Sequence, residues 1–223
     1  MGVVNFGINR ELVGTLAKKF NIVNFVETGT YLGETSIWAA TLFTEVHTIE
    51  ISEDIYKTTS AKYKDVANVH FYLGDSKTVL PTIIPKIKGS TLFWLDGHWC
   101  GRNTGGKYNE CPIFNELDEA IKAENPAILI DDLRYFLGPN PYDYGENYPT
   151  LHDIIKFLTK SLPAHFITIN DDTLICVPAA YKDEVSKDWK KYYNKRYPSS
   201  VKSMLSKIYW RIINLDFTLE KNK

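Results

Sequence analysis

Three aspartates stand where chemistry could be done. Asp96 closes the apolar run Ser90–Leu95, and Asp131 with Asp132 closes Ala127–Ile130. Carboxylates gathered at one edge repel, and without a cation at least one would be driven to hold a proton. An all-oxygen set suits Mg²⁺, Mn²⁺ or Ca²⁺ better than zinc. Asp96, Asp131 and Asp132 are therefore candidate ligands of a divalent cation. The alternative is that only one faces a site while another caps a loop. His98 follows two residues after Asp96; an imidazole titrates near neutral pH, which makes it the candidate general base. Its competing role is structural hydrogen bonding. Lys107, Arg134 and His152 stand behind it as further candidates for the base or for acceptor contacts. His98, Cys100 and Cys111 also raise zinc, but H-x-C with one distant cysteine gives three ligands and no C-x-x-C pair.

A second group of residues reads as a nucleoside site. Val26–Ser36 runs V-E-T-G-T-Y-L-G-E-T-S. Gly29 permits a sharp turn and Gly33 a close helix entry. The spacing is G-x-x-x-G, and Thr30 breaks the G-x-G-x-x-G pattern that seats a pyrophosphate. About 20 residues on, Glu50 ends the next apolar run in HTIEIS, where a carboxylate can accept both ribose hydroxyls. That device marks a nucleoside and is shared by dinucleotide and methyl-donor sites. The third run ends in Leu73-Gly74-Asp75-Ser76. Asp75 either accepts from an adenine amino group, or it or Ser76 caps the next helix.

These residues need elements to hold them. Strand-like runs at Asn24–Thr28, Glu45–Ile49, Val69–Leu73, Ser90–Leu95 and Ala127–Ile130 alternate with helix-like stretches at Glu34–Phe43, Glu53–Val66, Lys77–Ile87 and Ile113–Glu124. Ser52 is placed to cap the second of these helices. Near-continuous apolar strands with helices between them predict a parallel sheet covered on both faces. After a helix at Thr150–Leu162 the pattern changes. His165–Ile169 and Thr173–Val177 are joined only by Asn170, Asp171 and Asp172, so they must pair antiparallel. The loops at Gly97–Cys111 and Leu133–Tyr148 follow strand ends and are long enough to be functional.

In that order, VETGTYLGETS, HTIEIS, YLGDS, FWLDGHW and ILIDDLRYF resemble the motifs of class I S-adenosylmethionine-dependent methyltransferases. The likeness spans Asn24 to Phe136 and is greatest to the metal-dependent O-methyltransferases that act on catechols and on sugars of natural products. LDGHW and IDDLRYF also resemble a group of methyltransferase-like proteins from surface-glycan biosynthesis. Five βα units closed by a hairpin is likewise the order of class I methyltransferases. The resemblance implies that Glu27, Gly29 and Tyr31 lie along the methionine part of the donor, with Gly33 in the same turn. It implies Glu50 on the ribose, Asp75 and Ser76 near adenine, Trp99 on the adenine face, and a cation between Asp96, Asp131 and Asp132. The sequence departs from the catechol pattern in one place. With one residue inserted at Gly97, the position of that group's catalytic lysine falls on Cys100, which leaves His98 and Asp96 as the catalytic pair.

Composition bounds the rest. A chain of 223 residues, 44% hydrophobic and 24% charged, suits one α/β core and not two. A net charge of −1 offers no field for nucleic acid. No stretch approaches the roughly 18 apolar residues of a membrane span, and no basic-then-apolar start marks a signal peptide. Phe6 stands where myristoylation after Gly2 would need Ser or Thr. Three cysteines make no disulfide framework, which predicts a cytoplasmic chain. The expected architecture is a Rossmann-like, seven-stranded, mostly parallel sheet with a C-terminal antiparallel hairpin and helices on both faces, over residues 1–178. A basic, aromatic, helical extension follows over 179–223. There Val201, Leu205, Ile208 and Ile212 form an apolar stripe, which suits docking on the domain or on a second subunit, or contact with a membrane surface. The expected activity is transfer of a methyl group from S-adenosylmethionine to a hydroxyl of a small acceptor, a sugar or glycan end first and a phenol or catechol second. A nicotinamide-dependent oxidoreductase is the rival, and a binding protein that kept the fold without catalysis is a third reading.

Overall fold

The computed structural model describes residues 7–97, 111–138 and 148–196, with side chains up to 194. Five parallel strands, β1 (Asn24–Thr28), β2 (Glu45–Glu50), β3 (Val69–Leu73), β4 (Thr91–Leu95) and β5 (Ala127–Ile130), are followed by β6 (His165–Asn170) and β7 (Thr173–Pro178). They form one sheet in the order β3-β2-β1-β4-β5-β7-β6. Strand β7 runs antiparallel to β6, as the short link Asp171–Asp172 demands, and also to β5. The helices are α1 (Arg10–Phe20), α2 (Glu34–Ala39), α3 (Glu53–Lys62), α4 (Ser76–Ile83), α5 (Ile113–Ala120), α6 (Leu151–Ser161) and α7 (Lys182–Arg196).

Strand β1 is buried along its whole length, as a central strand covered on both faces must be. On one face Val26, Ile49, Phe93, Leu95, Ile128 and Ile130 pack with Leu80 and Ile83 of α4, Leu117 of α5 and Leu158 of α6. Alternation sends Phe25, Val46, Leu92 and Trp94 to the other face, where Phe25 meets Phe43 at 5.2 Å between ring centroids.

Register then levels the strand ends. Thr28 pairs with Ile49 and with Leu95, Leu95 with Ile130, and Glu50 with Leu73. Gly29, Glu50, Gly74, Asp96 and Asp131 therefore leave the sheet on one rim. The strand order reverses between β1 and β4, and open α/β sheets bind ligands in the crevice at such a point.

Several elements differ from the sequence expectations. Helix α1 was not anticipated. Asn9 caps it by accepting from the Leu12 N–H at 3.0 Å, and its buried Leu12, Val13, Leu16 and Ala17 form one stripe. Its last residue, Phe20, stacks on Tyr181 at 3.7 Å. Helices α2 and α3 stop four residues short of the expected ends. Helix α4 gives way after Ile83 to a single 3-10 turn, Ile84–Lys86. Ser52 occupies the N-cap of α3, but its side chain makes no capping bond. The chain divides into two units, Met1–Glu184 and Val185–Lys223. Among the described residues, no helix is long and apolar enough to cross a membrane.

Candidate active site

The turn after β1 is held by backbone bonds and by the absence of a side chain. Gly29 and Thr30 donate their N–H groups to the Ile49 carbonyl at 3.0 and 3.2 Å. Gly29 has φ +87°, and a Cβ there would stand 2.6 Å from the backbone oxygen of Asp96. The first turn is thus pressed against the end of β4, and only glycine fits. Gly33, φ +75°, opens α2 where a Cβ would meet Thr59 at 2.8 Å and the Tyr63 ring at 3.0 Å.

Tyr31 also has positive φ, 45°, and its N–H points to Glu50 Oε2 at 3.0 Å. The Ser52 N–H donates to Glu50 Oε1 at 2.9 Å. Buried Glu50 is therefore fixed by one backbone bond on each oxygen, and each oxygen keeps acceptor capacity. A rigid pair of acceptors suits two neighbouring hydroxyls. Tyr31, Leu32, Ile51 and Leu73 are exposed large apolar side chains in the turns and strand end that border Glu50. Ile51 and Leu73 were not picked out from the sequence; their signal was an apolar residue beside each strand-end turn. Asp75 caps α4, accepting from the Lys77 N–H at 3.0 Å, with its other oxygen 3.4 Å from Lys77 Nζ. Ser76, buried, is the first residue of that helix.

Glu27 lies behind this turn, 2% exposed. Its Oε2 accepts from the Ser36 hydroxyl and from Thr48 Oγ1 at 2.8 Å, and Thr48 shares a 2.6 Å hydroxyl contact with Thr30. Burial pushes its carboxyl up to about 7 against the pull of those two donors, with Glu50 adding to the rise. Sequence reasoning missed Ser36, Thr48 and Thr30, although the alternation of β2 puts Thr48 on the side opposite Ile49.

At the other half of the rim, the Asp96 N–H donates to the Thr28 backbone oxygen and to Thr28 Oγ1, both at 3.2 Å. The Asp131 N–H donates to Leu95 O at 3.1 Å. Burial first, then the charges of Asp131, Asp132, Glu27 and Glu116, hold the Asp96 carboxyl well above the usual range. Glu116 of α5 was not anticipated. It is buried on the helix face that carries Ile113, Leu117 and Ala120, and a Cβ on Gly97 would lie 2.9 Å from its Oε1. A carboxylate on an apolar stripe was the available signal.

The expected cation site is not formed. Among the described residues, no three Asp, Glu, His or Cys side chains come together as a set that could hold a metal ion. The physical reason lies in Asp132. It takes a left-handed conformation, φ 53°, and Arg134 Nη1 lies 2.6 Å from its Oδ1. The same guanidinium pairs with Asp172 of the β6–β7 turn. Arginine neutralises the carboxylate that a cation was expected to bind. Arg134 is accordingly engaged rather than available as a base, and His152 is exposed in the first turn of α6. Burial pushes the Cys111 thiol up to about 12. His98, Trp99, Cys100 and Lys107 lie outside the described residues.

No family model and no curated protein matches the sequence. Solved structures do. The chain is similar to a Staphylococcus aureus protein assigned as a caffeoyl-CoA O-methyltransferase (TM-score 0.56, 15% identity, covering 79% of this chain and 86% of that one). It is also similar to the cofactor-bound protein Rv0187 from MTB (TM-score 0.52, 14% identity, covering 78% and 82%). At such identities the likeness is one of fold, and this chain has the Rossmann-like methyltransferase fold.

Proposed function

We propose that this protein binds S-adenosylmethionine on the β1–β2 half of the rim and transfers its methyl group to a hydroxyl of a small acceptor. The observation that carries this reading is Glu50, whose two oxygens are each anchored by a backbone N–H beside a glycine turn that leaves no room for a side chain. In this reading Glu50 accepts the ribose hydroxyls, exposed Ile51 and Leu73 flank the base, and Gly29 lets the backbone approach the amino-acid end. These residues fit the donor without a pyrophosphate cradle. When bound, the donor supplies an electrophilic methyl carbon on a sulfonium. In the transfer a carbon–sulfur bond breaks, a carbon–oxygen bond forms, and the hydroxyl proton must leave.

The protein's share of that reaction is alignment and proton removal. Asp96 stands at the reversal point between β1 and β4, level with Gly29, and in its ionised form, which burial and the neighbouring carboxylates disfavour, is the described residue best placed to take the proton. His98 is its rival from the sequence. The acceptor class, a sugar or glycan terminus, rests on the likeness of LDGHW and IDDLRYF. No step is assigned to a cation.

Calorimetry with S-adenosylhomocysteine and with NAD tests the reading. S-adenosylhomocysteine should bind and NAD should not. Glu50→Ala should weaken product binding by about 1.5–3 kcal/mol, the scale of a charge-assisted hydrogen bond. NAD binding in place of S-adenosylhomocysteine would overturn the assignment.

A further inference from the structure

Glu27 is buried near the end of β1 with one carboxylate oxygen committed and the other open. Its Oε2 takes the hydroxyls of Ser36 from α2 and Thr48 from β2, while Oε1 accepts no hydrogen bond from any described residue. The charged groups coupled to it are both acids, Glu50 of β2 and Asp96 beyond β4. Helix α3 brings Thr59 and the Tyr63 ring to the same turn. Among the described residues, no Lys, Arg or His pairs with Glu27, Glu50 or Asp96. A carboxyl taken from water beside other carboxyls needs a positive charge, a proton or a ligand's own. The whole-chain charge of −1 conceals the same bias. In the unit Met1–Glu184, which holds the site, there are 16 Lys and Arg against 24 Asp and Glu, a net −8; in Val185–Lys223 there are 10 against 3, a net +7. A cleft of one sign favours ligands of the other.

We propose that Glu27 lets the site tell the methyl donor from its spent product by charge: the cationic donor enters in exchange for a proton on Glu27, and the neutral product does not. The inference rests on the methyltransferase reading. The two ligands share their nucleoside and amino-acid ends and differ at sulfur, a sulfonium in one and a thioether in the other. Without a ligand, burial keeps the Glu27 carboxyl up at about 7, so near neutral pH a proton supplies the positive charge. The sulfonium brings its own, and charges in a buried site couple without direct contact. Glu27 then ionises, its Oε2 keeps both hydroxyl donors, and the proton passes to solvent. One positive charge replaces another, so the balance closes. The thioether brings no charge at sulfur, and with it Glu27 keeps its proton. Such a site favours fresh donor over product increasingly as pH rises.

Titration calorimetry of the full chain with S-adenosylmethionine and with S-adenosylhomocysteine, at pH 6, 7 and 8, tests it. The amino-acid ends titrate alike in both ligands and cancel in the ratio of affinities. A group titrating at about 7 goes from about nine-tenths to about one-tenth protonated across that range. The donor-to-product affinity ratio should therefore rise about tenfold. Phosphate and imidazole buffers at pH 7, whose ionisation enthalpies differ, should reveal about half a proton released with the donor and none with the product. Glu27→Gln should bind both ligands with a ratio that does not change with pH, and release no proton. Thr48→Val removes one of the two hydroxyls that favour the ionised carboxylate, so its ratio should rise at higher pH than in the wild type. Equal proton release with both ligands, a ratio that still rises in Glu27→Gln, or an unshifted profile in Thr48→Val would overturn the proposal. If neither ligand binds, the methyltransferase reading falls and takes this inference with it. If both bind and the wild-type ratio stays flat, this inference alone falls.

Discussion

Glu27 is ionisable, buried and bonded on one oxygen to two hydroxyls, and its raised pKa is a statement about stability. With a folded value of about 7 and an ordinary value near 4.5 when unfolded, the folded state binds more protons between those limits. Stability should then fall as pH rises from about 4.5 to 7 and stay lower above, by about 3 kcal/mol from this group. Glu27→Gln keeps an acceptor for Ser36 and Thr48 and removes the titration. Thermal melts of the ligand-free protein should show a smaller fall between pH 5 and pH 8 in the variant; parallel profiles would show that Glu27 does not titrate there. For the transfer step, Asp96→Asn should lower turnover on the order of 10²–10⁴-fold, the usual contribution of a positioned base, with product affinity near wild type. If Asp96→Asn turns over normally and His98→Gln carries the loss instead, His98 takes the proton.

At the scale of elements, the segment after β5 is clamped by the hairpin. Leu133 donates its N–H to the Asp172 backbone oxygen at 2.8 Å, and Arg134 donates its N–H to Asp172 Oδ1 at 2.9 Å. The Arg134 side chain then ties Asp172 to Asp132. Asp172→Ala leaves a buried backbone donor and a guanidinium short of acceptors, and should cost about 1–3 kcal/mol in chemical denaturation. Asp172→Asn keeps the backbone acceptor and should cost less; equal losses would show that charge rather than the backbone bond holds the segment. Because Asp132 is already paired, millimolar Mg²⁺ should leave the wild-type melting temperature unchanged, and a rise of several degrees would restore the three-aspartate cation site. The helix ends show the limits of pattern. The span expected as Lys77–Ile87 is all apolar-periodic, but the chain turns into a 3-10 step after Ile83.

For the whole molecule, the proposed donor binding would be linked to stability. S-adenosylhomocysteine at 100 times its dissociation constant should raise unfolding free energy by about 2.7 kcal/mol, and the same concentration of NAD should add nothing. A shift with NAD alone would favour the rival oxidoreductase reading. The polarity between the −8 and +7 units belongs to this scale as well. It is invisible in a net charge of −1 until the chain is divided.

What the sequence by itself determined is the part governed by local pattern. Apolar runs bounded by glycine and acid dictated five parallel strands, the short link after the sixth dictated the antiparallel pair, and G-x-x-x-G with Glu50 about 20 residues on marked a glycine turn and a carboxylate on one rim. Tertiary structure alone decided which carboxylates meet which partners. Asp96, Asp131 and Asp132 look equivalent in the sequence, since each follows an apolar strand. Only the fold brings Arg134 and the distant Asp172 to Asp132 and sets Glu116, from a helix, among the charges that raise Asp96. Strand periodicity is a property of neighbours in the chain. The partner of a side chain is a property of the packed molecule, where residues 38 apart share one hydrogen bond.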